Sequence, residues 1–157
     1  MRACMRCWVL FGLLAGCGAP AVSNVEVAFP EGQTQLAVST DSIKWGPCPP
    51  TLPSACKMAV LEGDPREPML FTVRFRTTGA FELKPHWHPR NERVTILEGK
   101  VGVGFGDVID RETATWFGPG DYYVNAKEAH HFVLADDPAL IQITGIGPWQ
   151  VHFVESD

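Results

Sequence analysis

Four of the five histidines in this 157-residue chain lie in two short clusters, Pro85-His86-Trp87-His88-Pro89 and Ala129-His130-His131. A carboxylate, Glu92, follows shortly after His88. Imidazole and carboxylate together suit Fe, Mn, Ni, Cu or Zn. Side chains of an extended strand alternate with a period of two, so His86 and His88 share one face. A short turn returns Glu92 to the same point, and a later strand can deliver a third imidazole. This spacing predicts a site for one divalent transition metal. Four protein ligands on an ion that prefers six leave room for a bidentate substrate, or for substrate and dioxygen.

The elements that must position these residues read as strands. Short alternating apolar runs recur, bounded by Gly, Pro, Asp and Asn, and no helical periodicity of useful length appears. The runs are Leu70 to Phe75, Arg93 to Leu97, Val101 to Phe105, Thr113 to Phe117, Tyr122 to Val124, Phe132 to Leu134, Leu140 to Thr144 and Trp149 to Val154. Strands at this spacing predict an all-β, single-domain antiparallel sandwich or barrel. Gly102-Val103-Gly104-Phe105-Gly106 lacks the spacing of a phosphate loop and no helix pattern follows it. It reads instead as a strand whose small residues let neighbouring chain approach closely.

The run His86-x-His88-x3-Glu92-x6-Gly99 resembles the first motif of the cupins, small double-stranded β-helix (jelly-roll) barrels. Similarity to bacterial single-domain, type-2-like cupins extends through Leu61-Glu62-Gly63-Asp64-Pro65, Phe71-Thr72-Val73-Arg74, Val94-Thr95-Ile96-Leu97-Glu98-Gly99 and Gly145-Ile146-Gly147-Pro148-Trp149. It covers roughly Trp45 to Val154. The resemblance implies a single metal held by two His, one Glu and a third His from a second motif. It also implies a small-molecule ligand or substrate, with dioxygenase-like oxidoreductase chemistry leading, and it leaves room for a homodimer. A non-catalytic barrel that binds metal or a small ligand, or docks to a partner, is the alternative.

This chain departs from the pattern. Ala80 stands where the family usually has glycine, with Gly79 one residue earlier. The second motif, Pro-x-Gly-x2-His, reads Asn125-Ala126-Lys127-Glu128-Ala129-His130. Counting from His131 instead puts Ala126 in the proline place and Glu128 in the glycine place. Adjacent strand residues face opposite ways, so only one of His130 and His131 can enter the barrel. The register that keeps Asn125 beside small Ala126 favours His130, giving a ligand set of His86, His88, Glu92 and His130. Gln142 and Thr144 are candidate acceptors for the outer ring N–H groups of the ligands. Trp87 is expected to point away from the metal, His152 to be structural, and Arg74 and Arg76 to lie on a solvated outer face. No separate catalytic base stands out; Glu98 and Glu128 are not assigned.

The ends and the cysteines speak to compartment. Arg2 and Arg6 precede an apolar run, Trp8 to Leu14, too short to span a bilayer. Leu14-Ala15-Gly16-Cys17 resembles a bacterial lipoprotein signal, so residues 1–16 are expected to be a signal peptide, 17–32 a lipidated cysteine and tether, and 33–157 the barrel. The expected address is the cell envelope, facing the periplasm, with Gly18 after the cysteine favouring the outer membrane. Membrane contact would be through lipid on Cys17 alone. Cys48 and Cys56, in a Pro-rich stretch, are expected to form a disulfide in such a compartment. The net charge of −5 would become −7 once Arg2 and Arg6 leave with the signal. An acidic domain with no basic cluster in its sequence is a poor candidate for nucleic acid.

Overall fold

The structure, a computed structural model, describes residues 26–155. The expected signal peptide and Cys17 lie outside them. Beyond a short 3-10 turn, Thr40–Ser42, the described residues form strands: β1 Gly46–Pro47, β2 Cys56–Glu62, β3 Leu70–Thr77, β4 Phe81–Trp87, β5 Glu92–Glu98, β6 Val101–Phe105, β7 Thr115–Phe117, β8 Tyr122–Asn125, β9 His131–Ala135, β10 Leu140–Ile146 and β11 His152–Phe153. Two antiparallel sheets result, one in the order β1-β2-β3-β10-β5-β8 and the other β11-β4-β9-β6-β7. The all-β reading is correct. Trp149 to Val154 narrows to two strand residues, and Thr113 to Phe117 begins only at Thr115. The strand Cys56–Glu62 does not figure among the alternating runs, because Met58 to Leu61 is continuously apolar.

Alternation builds the core between the sheets. Phe71, Val73 and Phe75 of β3, Ile141 and Ile143 of β10, and Val94 and Ile96 of β5 lie side by side on the inner face of one sheet, and Phe81, Leu83, Val101 and Val103 of the other sheet complete the buried cluster. Each such side chain contributes about 1.5–3 kcal/mol relative to exposure. Outward positions of the same strands are polar: Arg74 donates to Gln142 and the Thr72 and Thr144 hydroxyls meet. The Arg76 guanidinium lies 4.5 Å above the Trp45 ring. These contacts place Arg74 and Arg76 on the outer face. They also place Gln142 and Thr144 there, which removes both as acceptors for inward-facing histidines.

Two glycines are required by geometry. Gly99 turns β5 into β6 at φ +74°, and a Cβ there would lie 2.5 Å from the Pro138 carbonyl oxygen. In β6, a Cβ on Gly104 would overlap the Phe132 ring of β9. Small residues in this strand thus let the tip of an aromatic ring reach the backbone, and Phe132 is fully buried.

The pairing of β4 with β9 contains the irregularity that matters most. Leu83 opposes Val133, but the next pair is His86 with His131. Three steps along β4 match two along β9, so β4 carries one extra residue at Lys84-Pro85, a β-bulge. Proline has no N–H for the ladder and is tolerated at such a point. Before the bulge the odd-numbered Phe81 and Leu83 face inward; after it the even-numbered His86 and His88 do.

Candidate metal centre

Strand β4, the turn after it, and the first residue of β9 converge inside the barrel. His86, His88 and His131 each offer a ring nitrogen, and these atoms lie within 4.8 Å of one another. All three side chains are buried, His131 completely. Their rings are in mutual contact, with centroids 4.2 Å apart for His86 and His131 and 5.0 Å for His86 and His88.

The tautomers follow from the backbone. Nδ1 of His86 sits 2.7 Å from the Lys84 carbonyl, Nδ1 of His88 2.7 Å from that of Gln150, and Nδ1 of His131 2.9 Å from that of Ala129. A carbonyl oxygen only accepts, so each Nδ1 carries the hydrogen and donates it. In the neutral rings Nε2 is then a bare lone pair aimed at the common centre. Nε2 of His88 and of His131 is buried with no hydrogen-bond partner among the described residues. Burying a polar atom without a partner is costly. Three converging imidazole lone pairs of this kind fit a divalent transition metal.

Glu92 adjoins the triad. Its Oε1 lies 3.4 Å from His88 Nε2 and its Oε2 4.0 Å from His131 Nε2. The carboxylate is held from behind by two donors, Trp149 Nε1–H to Oε1 at 2.9 Å and Asn125 Nδ2–H to Oε2 at 3.0 Å. Burial would raise its pKa, but the charge of His88 at close range, with His131 and the Asn125 bond, holds it down at about 2. Its neighbours thus favour the anionic form of Glu92. Burial, then repulsion from His131, lowers His86 to about 3. Burial likewise lowers His131. His88 goes the other way: burial pulls it down, and the Glu92 charge more than compensates, leaving it raised.

The expected His130 is corrected to His131. His130 lies outside, with a side chain 39% exposed and Nδ1 hydrogen-bonded to Asp107 Oδ1. The cause is the turn before β9. Glu128 adopts φ +61°, the left-handed conformation usually left to glycine, and its N–H donates to the His88 carbonyl. Glu128 thus occupies the glycine place of the second motif, Ala126 the proline place and His131 the histidine place. The signal was present in the spacing, but a glutamate in a glycine position concealed it. Trp87 points away from the triad as expected, its ring stacked on His152 at 4.2 Å.

Beside the centre lies a narrow cavity of about 40 Å³. His86, His88 and Glu92 form its polar wall, Tyr123 adds a hydroxyl, and Phe75, Phe81, Leu83, Ile141, Ile143 and Val151 are among its apolar walls.

No family model matches the sequence, and no curated protein does. Solved structures do. The polyketide cyclase RemF from Streptomyces resistomycificus superposes with a TM-score of 0.64 at 16% identity, covering 77% of this chain and 86% of that one. An acetylacetone dioxygenase from Acinetobacter johnsonii gives 0.60 at 16% identity, covering 83% of each chain. An RmlC-like cupin from Shewanella frigidimarina gives 0.55 at 14% identity, covering 71% of this chain and 90% of that one. With its two facing antiparallel sheets and these likenesses, the chain has the cupin jelly-roll fold.

Proposed function

We propose that the protein binds one divalent transition-metal ion through His86, His88 and His131, with the Glu92 carboxylate beside them, and uses it on a small molecule held in the cavity. Oxidoreductase chemistry of the dioxygenase type is the favoured reaction. The observation that carries the reading is the set of three buried imidazoles whose Nδ1 atoms are tied to carbonyls while their Nε2 atoms converge. A bound ion of this class supplies Lewis acidity and, if redox-active, a route for electrons to dioxygen.

The chain's own residues do the rest. The three carbonyls fix ring orientation before any ion arrives. Trp149 and Asn125 keep Glu92 charged and stationary, so its negative charge offsets a cation in a dry interior. The apolar walls exclude bulk water from the neighbouring space. Solved neighbours of this fold bear names as different as cyclase and dioxygenase, so the fold does not select the reaction. The narrowness of the cavity favours, as a second reading, a barrel that binds metal or ligand without turnover. Lipid attachment at Cys17 and a place in the cell envelope complete the proposal; they rest on Leu14-Ala15-Gly16-Cys17 and on the paired Cys48 and Cys56.

The test is elemental analysis of protein purified from its own envelope, followed by oxygen-electrode assays of the iron- and zinc-loaded forms against small enolisable diketones and catechols. One equivalent of metal and iron-dependent oxygen uptake are expected. Tight metal with no uptake would favour the second reading, and protein that takes up no ion would refute the site.

A further inference from the structure

The loop between Cys48 and Cys56 does more than close a ring. Their sulfurs are bonded, and Leu52 sits midway between them. Pro49, Pro50 and Pro53 stiffen the loop, and the Leu52 N–H donates to the Pro49 carbonyl at 2.9 Å, a tight turn. A leucine at the tip of so short a segment is normally exposed, yet Leu52 is only 7% exposed. Its side chain is packed into the barrel core, flanked by both cysteines.

Leu52 lies at the end of the barrel away from the imidazoles. Cys56 pairs with Thr77 at the end of β3, and Thr78 N–H donates to the Ala55 carbonyl, so the loop is anchored where Phe75 and Phe81 lie. Phe81 and His86 pair with Ala135 and His131, four residues apart on β9, so they are separated by roughly 13 Å along the strand at about 3.3 Å per residue. The cavity therefore runs from an apolar end to an imidazole end. Leu52 and Leu83 line both this cavity and a separate open cleft on the outside, bordered by Glu82, Lys84, Phe153 and Glu155. These two leucines are the partition between them. Leu83 belongs to a paired strand, and Leu52 to a loop.

Resting on the metal reading above, we infer that the cavity takes a small, mainly apolar molecule with one polar, metal-facing end, and that Leu52 limits how long that molecule can be. The apolar walls give such a ligand its affinity. The imidazole and carboxylate wall accepts the polar end, and the one side-chain hydroxyl elsewhere in the lining is that of Tyr123. The disulfide keeps the stopper in place.

The test has a metal-free and a metal-loaded arm. Metal-free protein is titrated calorimetrically with benzene, toluene, ethylbenzene and n-butylbenzene. Cobalt-loaded protein is titrated with catechol, 4-methylcatechol and 4-tert-butylcatechol, read from the visible cobalt bands. Affinity should rise about fourfold per added carbon up to a size limit. Leu52→Ala should move that limit outward and strengthen 4-tert-butylcatechol at least tenfold, as should the Cys48→Ser/Cys56→Ser pair. Leu52→Phe should move it inward, and Leu52→Met, which conserves volume, should leave it in place. Affinities that stay flat along both series would overturn the apolar ligand class. A limit that is the same in the Ala, Phe and wild-type proteins would overturn the role of Leu52. Protein that takes up no cobalt, yet shows the benzene series with a Leu52-dependent limit, would refute the metal reading while upholding the cavity.

Discussion

His86 and His131 oppose one another across the β4–β9 pair, with ring centroids 4.2 Å apart and both Nδ1 atoms donating to carbonyls two residues back in their own segments. Each strand therefore presets its own imidazole, and the ladder only has to bring them together. This makes the centre rigid before loading.

His131→Ala should reduce bound metal below about a tenth of an equivalent, whereas His130→Ala should leave it near one, because only His131 enters the barrel. Metal analysis after loading and desalting, with circular dichroism to check the fold, distinguishes the two. Loss in His130→Ala alone would reverse the assignment.

The first motif was legible in the sequence because its spacing and the strand period agree at His86, His88 and Glu92. Val101–Phe105 was equally legible, since alternation and bounding glycines coincide there. The second cluster was not, because a backbone angle decides it: Glu128 at φ +61° shifts the frame by one residue. Nor could the sequence supply the partners of the three Nδ1 atoms. They are carbonyls, which every residue possesses, and not the side chains of Gln142 or Thr144.

Metal-free protein should lose stability as pH falls below about 6.5. Burial holds the folded pKa of His86 at about 3 and lowers that of His131, so each contributes stability that is present above the unfolded value and lost on acidification. His88 acts oppositely: its raised pKa adds stability below 6.5 that disappears as pH rises through the folded value. His86 has the largest of the three shifts and sets the sign, a net loss toward acid. Glu92, held at about 2, adds to it below pH 4.5. Thermal melts in chelator from pH 8 to pH 4 should show Tm declining, with the slope reduced in His86→Gln. A Tm that rises over that range would contradict the assignment.

Trp149→Phe keeps the ring against His88 but deletes the N–H that meets Glu92 Oε1. Loss of a hydrogen bond to a buried charge should cost about 1.5–3 kcal/mol in urea denaturation. Metal affinity should fall by about 10–100-fold, since groups that steady a metal site act through the residues they hold. An unchanged affinity would mean that Asn125 alone suffices to hold the carboxylate.

Gly104→Ala forces a methyl into the Phe132 ring and should destabilise the barrel by about 1–3 kcal/mol. Combining it with Phe132→Leu should recover part of the loss. A chemical-denaturation cycle on the two sites measures the coupling, and strict additivity would argue against direct contact.

The extra residue at Lys84-Pro85 divides β4 into two reading frames. On one side of it, inward positions shape a hydrophobic pole; on the other, they furnish the reactive one. Substitutions at Phe81 or Leu83 can therefore remodel what fits while leaving the imidazoles in register, and changes at His86 or His88 can alter the chemistry while leaving the fit intact. The fold in this sense is modular within a single strand. The small change that breaks the modularity is an insertion or deletion at the junction itself, which would turn His86 and His88 out to solvent and leave His131 and Glu92 inside without their partners.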